Sequence, residues 1–251
     1  LELYGNVSRN YRAITFNDMR VVNPNFQIDP DLKDEKGFNA DLGFRGSAGR
    51  WFSFDASAFY LYYQDRIGQV LKTDSATFRY YRYRTNVSDS RNIGLEWYAE
   101  ADFMQMRAAN PSNARLALFT NIAWIDARYL GSRETAFEGK FVELVPRANL
   151  KVGLDYRRKN LRANAQWSSV TQQYSDATNA ETSPSAVEGL IPAYNILDIS
   201  AGYTWKMLSL EASCNNVLNQ MYFTRRAAAY PGPGIIPSDG RSFFVTLQVK
   251  I

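Results

Sequence analysis

The chain has 251 residues, of which 29 are lysine or arginine and 25 are aspartate or glutamate, with no histidine and a single cysteine, Cys214. The absence of histidine excludes Ser-His-Asp and Cys-His catalysis and histidine-ligated zinc, and one cysteine excludes a disulfide framework or a four-cysteine metal site. Because the net charge is only +4 and the sequence has no run of about 18 apolar residues, the composition favours neither nucleic-acid binding nor a membrane-spanning helix.

Apolar and polar residues alternate along nearly the whole chain, which is typical of β-strands with two chemically different faces. In residues 148–156, for example, every even-numbered residue is apolar and every odd-numbered residue is polar, charged or glycine. We predict about ten strands, in chain order residues 1–10, 35–47, 51–72, 85–106, 114–129, 143–157, 160–173, 191–205, 208–224 and 241–251.

The connections between these strands alternate between short and long. The short ones are residues 47–50, 107–113 (with Asn110, Pro111, Ser112 and Asn113), 157–160 and 206–207, and the long ones are residues 10–34, 73–84, 130–142, 174–190 and 225–240. This alternation predicts an antiparallel up-and-down meander with tight turns at one end and long loops at the other. Transmembrane β-barrels of outer membranes have this organisation, and a soluble sandwich or barrel is the alternative.

Aromatic side chains concentrate near the predicted strand ends, as in the girdles that flank the apolar band of a membrane barrel. The residues that we assign to these girdles are Trp97, Trp124, Trp167, Tyr203, Trp205 and Phe243. By the same alternation, Cys214 is predicted to face lipid as a small apolar residue.

Six segments, taken in order, resemble the C-terminal half of the barrel of a TonB-dependent receptor, specifically the ferric-dicitrate type of Bacteroidetes. They are residues 11–20 (YRAITFNDMR), 86–96 (NVSDSRNIGLE), 145–147 (VPR), 191–198 (IPAYNILD), 215–224 (NNVLNQMYFT) and 240–245 (GRSFFV). The chain departs from the family pattern at Lys250-Ile251, where the family usually ends in an aromatic residue.

The resemblance implies that residues 1–251 are part of a larger barrel of about 22 strands. An N-terminal plug that grips TonB, together with the first barrel strands, is then expected outside this chain, and a complete ten-stranded barrel is the alternative. The implied location is the bacterial outer membrane, and the implied activity is TonB-dependent import of a ferric chelate. Such import breaks no bond in the ligand, so we expect no catalytic residue, no nucleic-acid partner and no cofactor beyond the iron within the chelate.

Ferric citrate is anionic, and the planar guanidinium of arginine matches carboxylates. The candidate ligand-binding arginines lie in the long connections and are Arg79, Arg82, Arg84, Arg225, Arg226, Arg12 and Arg20. Alternation places Arg82 and Arg84 on one face and Tyr81 and Tyr83 on the other, so both arginines point into the lumen if the tyrosines belong to a lipid-side girdle. Solvated loop charge, or pairing with acidic lipid A or neighbouring carboxylates, is the alternative interpretation.

Several other residues receive structural interpretations. Glu96, Glu100 and Asp102 share a strand face and are expected to form a salt-bridge network rather than a metal or acid-base site. Asn215-Asn216 and Gly232-Pro233-Gly234 are read as turn chemistry, and residues 230–237 as a hypothetical mobile flap over the ligand.

The sequence is therefore compatible with two functional classes. The first is active import of ferric citrate or a similar siderophore complex, energised by TonB. The second is a passive porin-like channel or a surface-binding barrel, and TonB-dependent import of an oligosaccharide is a further variant. The missing histidine disfavours an outer-membrane barrel enzyme.

Overall fold

The computed structural model describes residues 1–21, 25–107, 113–131, 137–182, 186–227 and 234–250. Within these residues the chain forms fifteen strands and one short helix. They are β1 (Glu2–Arg12), β2 (Phe26–Ile28), β3 (Glu35–Ala48), β4 (Phe52–Thr73), β5 (Tyr80–Asp102), α1 (Phe103–Arg107), β6 (Ala114–Leu130), β7 (Ala148–Arg158), β8 (Leu161–Val170), β9 (Gln173–Tyr174), β10 (Leu190–Ile191), β11 (Tyr194–Trp205), β12 (Leu208–Asn215), β13 (Phe223–Ala227), β14 (Gly234–Pro237) and β15 (Ser242–Val249). No helix in this described part is long and apolar enough to span a membrane.

Ten of the strands form one antiparallel sheet in the order β1-β3-β4-β5-β6-β7-β8-β11-β12-β15, and β2 pairs with β5 in parallel. Two small sheets, β9 with β10 and β13 with β14, lie outside this path. When β2 and the strands of the two small sheets are set aside, strands that follow each other in the chain are neighbours in the main sheet. The predicted all-β antiparallel meander is therefore confirmed.

Three predicted strands have different bounds in the structure, two of them for a local backbone reason. The strand predicted at 143–157 begins at Ala148, because Leu144 has a positive φ of 59° and Pro146 has no N–H to donate to the ladder. The strand predicted at 208–224 ends at Asn215, where the next residue turns into the left-handed region. The strand predicted at 85–106 instead begins at Tyr80 and ends at Asp102.

One face of the main sheet is apolar across all ten strands. The registers join Leu42, Ala58, Leu95, Trp124 and Ala148 into one cross-strand row. A second row joins Leu154, Ala165, Ile199, Cys214 and Phe243, which places the cysteine on this face as predicted. Large apolar side chains on this face remain exposed, such as Leu95 at 55 % and Phe243 at 71 %. A continuous exposed apolar surface of this extent is typical of contact with lipid or with another protein.

The opposite face carries the charged residues, and ion pairs join neighbouring strands across it. Arg115 lies 2.7 Å from Glu100 and 3.2 Å from Asp155. The predicted salt bridge is therefore confirmed for Glu100. Asp102 and Glu96 form no ion pair with another described residue, and Asp102 Oδ1 instead accepts hydrogen bonds from the amides of Met104 and Gln105 in α1.

Candidate ligand-binding cavity

The hairpin of β4 and β5 extends well beyond its neighbours and carries the first two arginines of the candidate site. Residues Tyr80–Arg84, predicted as loop, form strand and pair with Gln69–Thr73. The register shifts between Tyr63 and Ile67, with Asp65 at a φ of 55°, so a bulge redirects the outer part of the hairpin.

Arg84 pairs with Gln69, so Arg82 and Arg84 lie on one face of this hairpin and Tyr83 on the other. Tyr83 packs against a small core at the loop end of the sheet, formed by Val70, Val87, Ala127, Tyr129, Phe137, Val142 and Ala177. The tyrosine face of the hairpin is thus covered by protein near Tyr83. The conditional prediction of a lipid-side tyrosine girdle is wrong for this residue.

The last long connection brings the other two arginines to the same place. Arg225 and Arg226 lie on β13. The Arg226 guanidinium donates to the backbone carbonyls of Ala186 (2.8 Å) and Leu190 (2.9 Å). This contact ties the β13–β14 hairpin to the loop that follows β9.

Asn216 fixes the start of this connection. Its buried side-chain amide donates to the carbonyls of Gln220 (2.9 Å) and Asp239 (3.3 Å), and its Oδ1 accepts from the Gln220 amide (2.9 Å). Its own amide donates to Asp198 on β11 (2.8 Å). One side chain therefore joins both ends of the connection that carries Arg225 and Arg226.

Four of the seven predicted arginines line one open cavity of about 360 Å³ between the outer loops: Arg82, Arg84, Arg225 and Arg226. Four carboxylates line it as well, from Asp18, Glu143, Asp176 and Glu188, and these were not predicted. The formal charges of these eight side chains cancel. The loops from which the carboxylates come lack regular alternation, so the sequence offered no face to which they could be assigned.

The four arginines differ in how many hydrogen bonds and ion pairs their side chains already form within the protein. Arg82 lies 3.5 Å from Glu188, and Arg84 donates to the carbonyl of Asn17 and stacks over Phe26, with 4.9 Å to the ring centre. Arg225 is exposed, and no hydrogen bond or ion pair joins its side chain to another part of the chain that the structure describes. It is the arginine with the most donor capacity left for a ligand.

Two of the carboxylates that line the cavity have pKa values shifted in opposite directions. Burial raises the pKa of Glu188, and the neighbouring Asp176 raises it further, while Arg82 opposes both. For Asp18, burial also raises the pKa, but hydrogen bonds from Thr15 and Arg12 outweigh it and hold the pKa below the usual range. Of these two carboxylates, Glu188 therefore gains a proton at the higher pH.

The remaining three predicted arginines lie elsewhere. Arg12 is held by Asp18 at 2.8 Å and Glu35 at 3.1 Å and lines a second cavity of about 610 Å³. Arg20 and Arg79 are exposed and are not among the residues that line either cavity. Of the segment predicted as a flap, residues 230–233, with Gly232 and Pro233, lie outside the described residues, as do Asn110, Pro111 and Ser112 of the predicted turn.

All six predicted girdle residues lie on the apolar face of the sheet. Trp124, Trp167 and Phe243 are near its loop end, Tyr203 and Trp205 are near its tight-turn end, and Trp97 lies between them. Leu197, the partner of Trp167, is eight residues from Trp205 on β11, which is about 26 Å of strand. That separation suits the apolar band of a membrane barrel, and the girdle role of these residues stays a prediction.

No group of three or more histidine, cysteine, aspartate or glutamate residues is arranged to hold a metal ion within the described residues. The cavity therefore offers charged and hydrogen-bonding contacts to a ligand. Arginine and carboxylate side chains can bind a polar chelate as a whole, without direct ligation of its metal.

Comparison with known proteins gives a consistent result. Residues 1–217 match the family model described as "TonB dependent receptor-like, beta-barrel". The chain is similar in fold to the ferric citrate transporter FecA in its unliganded form, with 20 % identity and a TM-score of 0.75 over 98 % of this chain and 35 % of that one. It is also similar to the copper transporter OprC (16 %, TM-score 0.72, 98 % and 36 %) and to the ferric yersiniabactin uptake receptor FyuA from Yersinia pestis (17 %, 0.68, 98 % and 34 %). No curated protein matches the sequence. The chain spans about a third of the length of these solved structures.

Proposed function

Because the chain belongs to the TonB dependent receptor-like β-barrel family, we propose that it is part of an outer-membrane receptor that imports a ferric chelate, with ferric citrate as the cargo. The family is one of receptors and transporters rather than enzymes. In this proposal the apolar face of the sheet contacts lipid, and the charged face lines the lumen. Residues 1–251 supply the C-terminal part of a larger barrel, and a plug outside this chain couples it to TonB.

The observation that carries the proposal is the convergence of Arg82, Arg84, Arg225 and Arg226 on one cavity at the loop end of the sheet. The first two come from one hairpin and the others from a connection more than a hundred residues later. The carboxylates of a citrate chelate are the groups that such guanidinium forks bind best. A cavity of about 360 Å³ is within the range of small-ligand sites.

Isothermal titration of the purified full-length receptor with ferric citrate tests the proposal. We expect saturable binding of one chelate per receptor, with weaker binding of an uncharged hydroxamate chelate. Equal affinity for both chelates would contradict a site built on arginines. No heat of binding for either would contradict the proposed cargo class.

The contact between Glu188 and Arg82 predicts a specific pH dependence of chelate binding. It occupies Arg82 and competes with the ligand, so its protonation should free that arginine for an anionic chelate. Because its pKa is raised, protonation begins at a higher pH than for an ordinary glutamate. At about pH 7.5 the Glu188→Gln variant should bind ferric citrate about fivefold more tightly than the wild type, roughly 1 kcal/mol. As the pH falls from that value, the two affinities should converge at a higher pH than they would for a glutamate with an ordinary pKa, because the wild-type side chain then becomes neutral like the variant.

Comparing the variant with the wild type at each pH cancels the protonation of citrate itself. The exposed Glu138→Gln change removes the same charge outside the cavity and should leave the affinity unaltered. A constant ratio of the two affinities as the pH falls would contradict the role of Glu188.

A further inference from the structure

A cluster of arginines lies on the apolar side of the sheet, just beyond the aromatic residues of its loop end. Arg91 on β5 is paired with Arg128 on β6, and Ile93 with Asp126. The next pair on this face is Leu95 with Trp124, which belongs to the apolar face. Asp126 and Arg128 are two and four residues beyond that tryptophan, about 7 and 13 Å along the strand. We call Arg91, Asp126, Arg128, Phe141 and Arg147 the belt-edge cluster.

The cluster has more cationic than anionic groups. Arg128 Nε donates to both oxygens of Asp126, at 3.0 and 3.2 Å, and Arg91 Nη2 lies 3.6 Å from the same carboxylate. Arg147 is exposed and forms no ion pair with another described residue. The cluster therefore has three guanidinium groups and one carboxylate, which is paired with two of them.

Phe141 organises the arginines of the cluster. The guanidinium carbon of Arg128 lies 4.2 Å from the centre of its ring, and that of Arg147 lies 5.4 Å away. Arg128 is also held by the carbonyl of Gly139 at 3.0 Å. The Nε of Arg91 is buried and has no hydrogen-bond partner among the described residues. The cluster thus keeps donors unused although its side chains are held in place.

The neighbouring charges do not reverse this excess. Tyr62 is paired with Arg91, and its hydroxyl donates to Asp89 at 2.6 Å. The backbone amide of Asp65 donates to the same carboxylate at 3.0 Å. The exposed Lys140 adds a further cation next to Phe141. The three arginines and Lys140 therefore outnumber the carboxylates of Asp126, Asp89 and Asp65 by one.

We propose that the belt-edge cluster binds the phosphate group of a membrane lipid, whose acyl chains then lie along Leu95 and Trp124. An anion bound there has to be amphiphilic, because the charged groups adjoin the apolar face directly. Guanidinium groups bind phosphate by paired hydrogen bonds, and basic residues at the edge of a membrane-spanning surface attract anionic headgroups. This inference rests on the proposed location of the protein in a membrane, but not on the identity of its cargo.

The experiment is a titration of the full-length receptor, in a non-ionic detergent, with mixed micelles of that detergent and dioleoyl phosphatidic acid. The Arg91→Gln/Arg147→Gln variant keeps Arg128 with Asp126, and we expect it to bind the lipid about tenfold more weakly than the wild type. The control is Arg50→Gln/Arg158→Gln, which removes the same charge at the tight-turn end and should bind as the wild type does. Micelles with dioleoyl phosphatidylcholine should give no saturable binding to any of the three proteins.

Several outcomes would overturn the inference: no saturable binding of phosphatidic acid by the wild type, unchanged binding by the Arg91 and Arg147 variant, or an equal loss in the control. Competition by inorganic phosphate at the same concentration would also overturn it, because a soluble anion site needs no lipid. Ferric citrate titrated into the same samples separates the two proposals. Its affinity should be identical in all three proteins, and failure of the wild type to bind it would contradict the cargo while leaving the lipid result standing.

Discussion

Replacing Arg82, Arg84 and Arg225 together with glutamine should weaken the binding of ferric citrate to the purified receptor about a hundredfold, or about 2.7 kcal/mol. Hydrogen bonds between charged groups are the strongest contacts that this cavity offers a carboxylate, and glutamine keeps a polar side chain while removing the charge. Arg226 stays unchanged in this variant because it also ties two loops together. Isothermal titration measures the change directly.

The matched control is Arg20→Gln/Arg79→Gln, which neutralises two predicted arginines that are exposed and outside the cavity. We expect an affinity within about twofold of the wild type, because exposed charges far from the ligand are screened by salt. If the control loses affinity as strongly as the cavity variant, the arginines act through the general field of the loops. Wild-type binding by the cavity variant would place the ligand elsewhere.

Replacing Asn216 with alanine should lower the free energy of unfolding by about 2–3 kcal/mol. The change leaves the amide of Gln220 and the carbonyls of Gln220 and Asp239 without their buried partner. It also places alanine at a φ of 50°, a left-handed conformation that asparagine tolerates better. Denaturant unfolding of the receptor in detergent, followed by circular dichroism, measures the loss.

Two variants give this prediction its controls. Asn215→Ala changes the preceding, exposed residue and should cost less than about 0.5 kcal/mol. Asn216→Gly restores the backbone freedom but not the hydrogen bonds, so its stability should fall between those of the alanine variant and the wild type. An alanine variant as stable as the wild type would show that the connection does not depend on this side chain.

The sequence pattern was sufficient to predict the ten long strands, because a sheet with one apolar and one charged face imposes a period of two on almost every residue. It failed where the backbone departs from that period. Leu144 and Asn216 both adopt positive φ, and a strand ends or begins beside each of them. Tyr80–Arg84 were misread as loop, although their own alternation continues that of β5.

The candidate site could be predicted only in part. Four of the seven predicted arginines lie in one cavity because of contacts that no local pattern encodes, and their role in ligand binding stays a prediction. The bulge near Asp65 directs Arg82 and Arg84, and the hydrogen bonds of Arg226 to Ala186 and Leu190 bring β13 beside them. Glu188 arrives at the cavity through the same long-range contacts.

The central claim, that this chain is part of an active importer of a ferric chelate, is tested most directly by uptake of radioactive iron supplied as citrate. Cells that lack other ferric citrate receptors would express the full-length protein, in paired strains with and without TonB. We predict accumulation of iron in the strain with TonB and a loss of nearly all of it in the strain without TonB, with the Arg82, Arg84 and Arg225 variant close to the level without TonB. Equal accumulation in both strains would contradict the claim and indicate a passive channel, and no accumulation in either would rule out ferric citrate as the cargo.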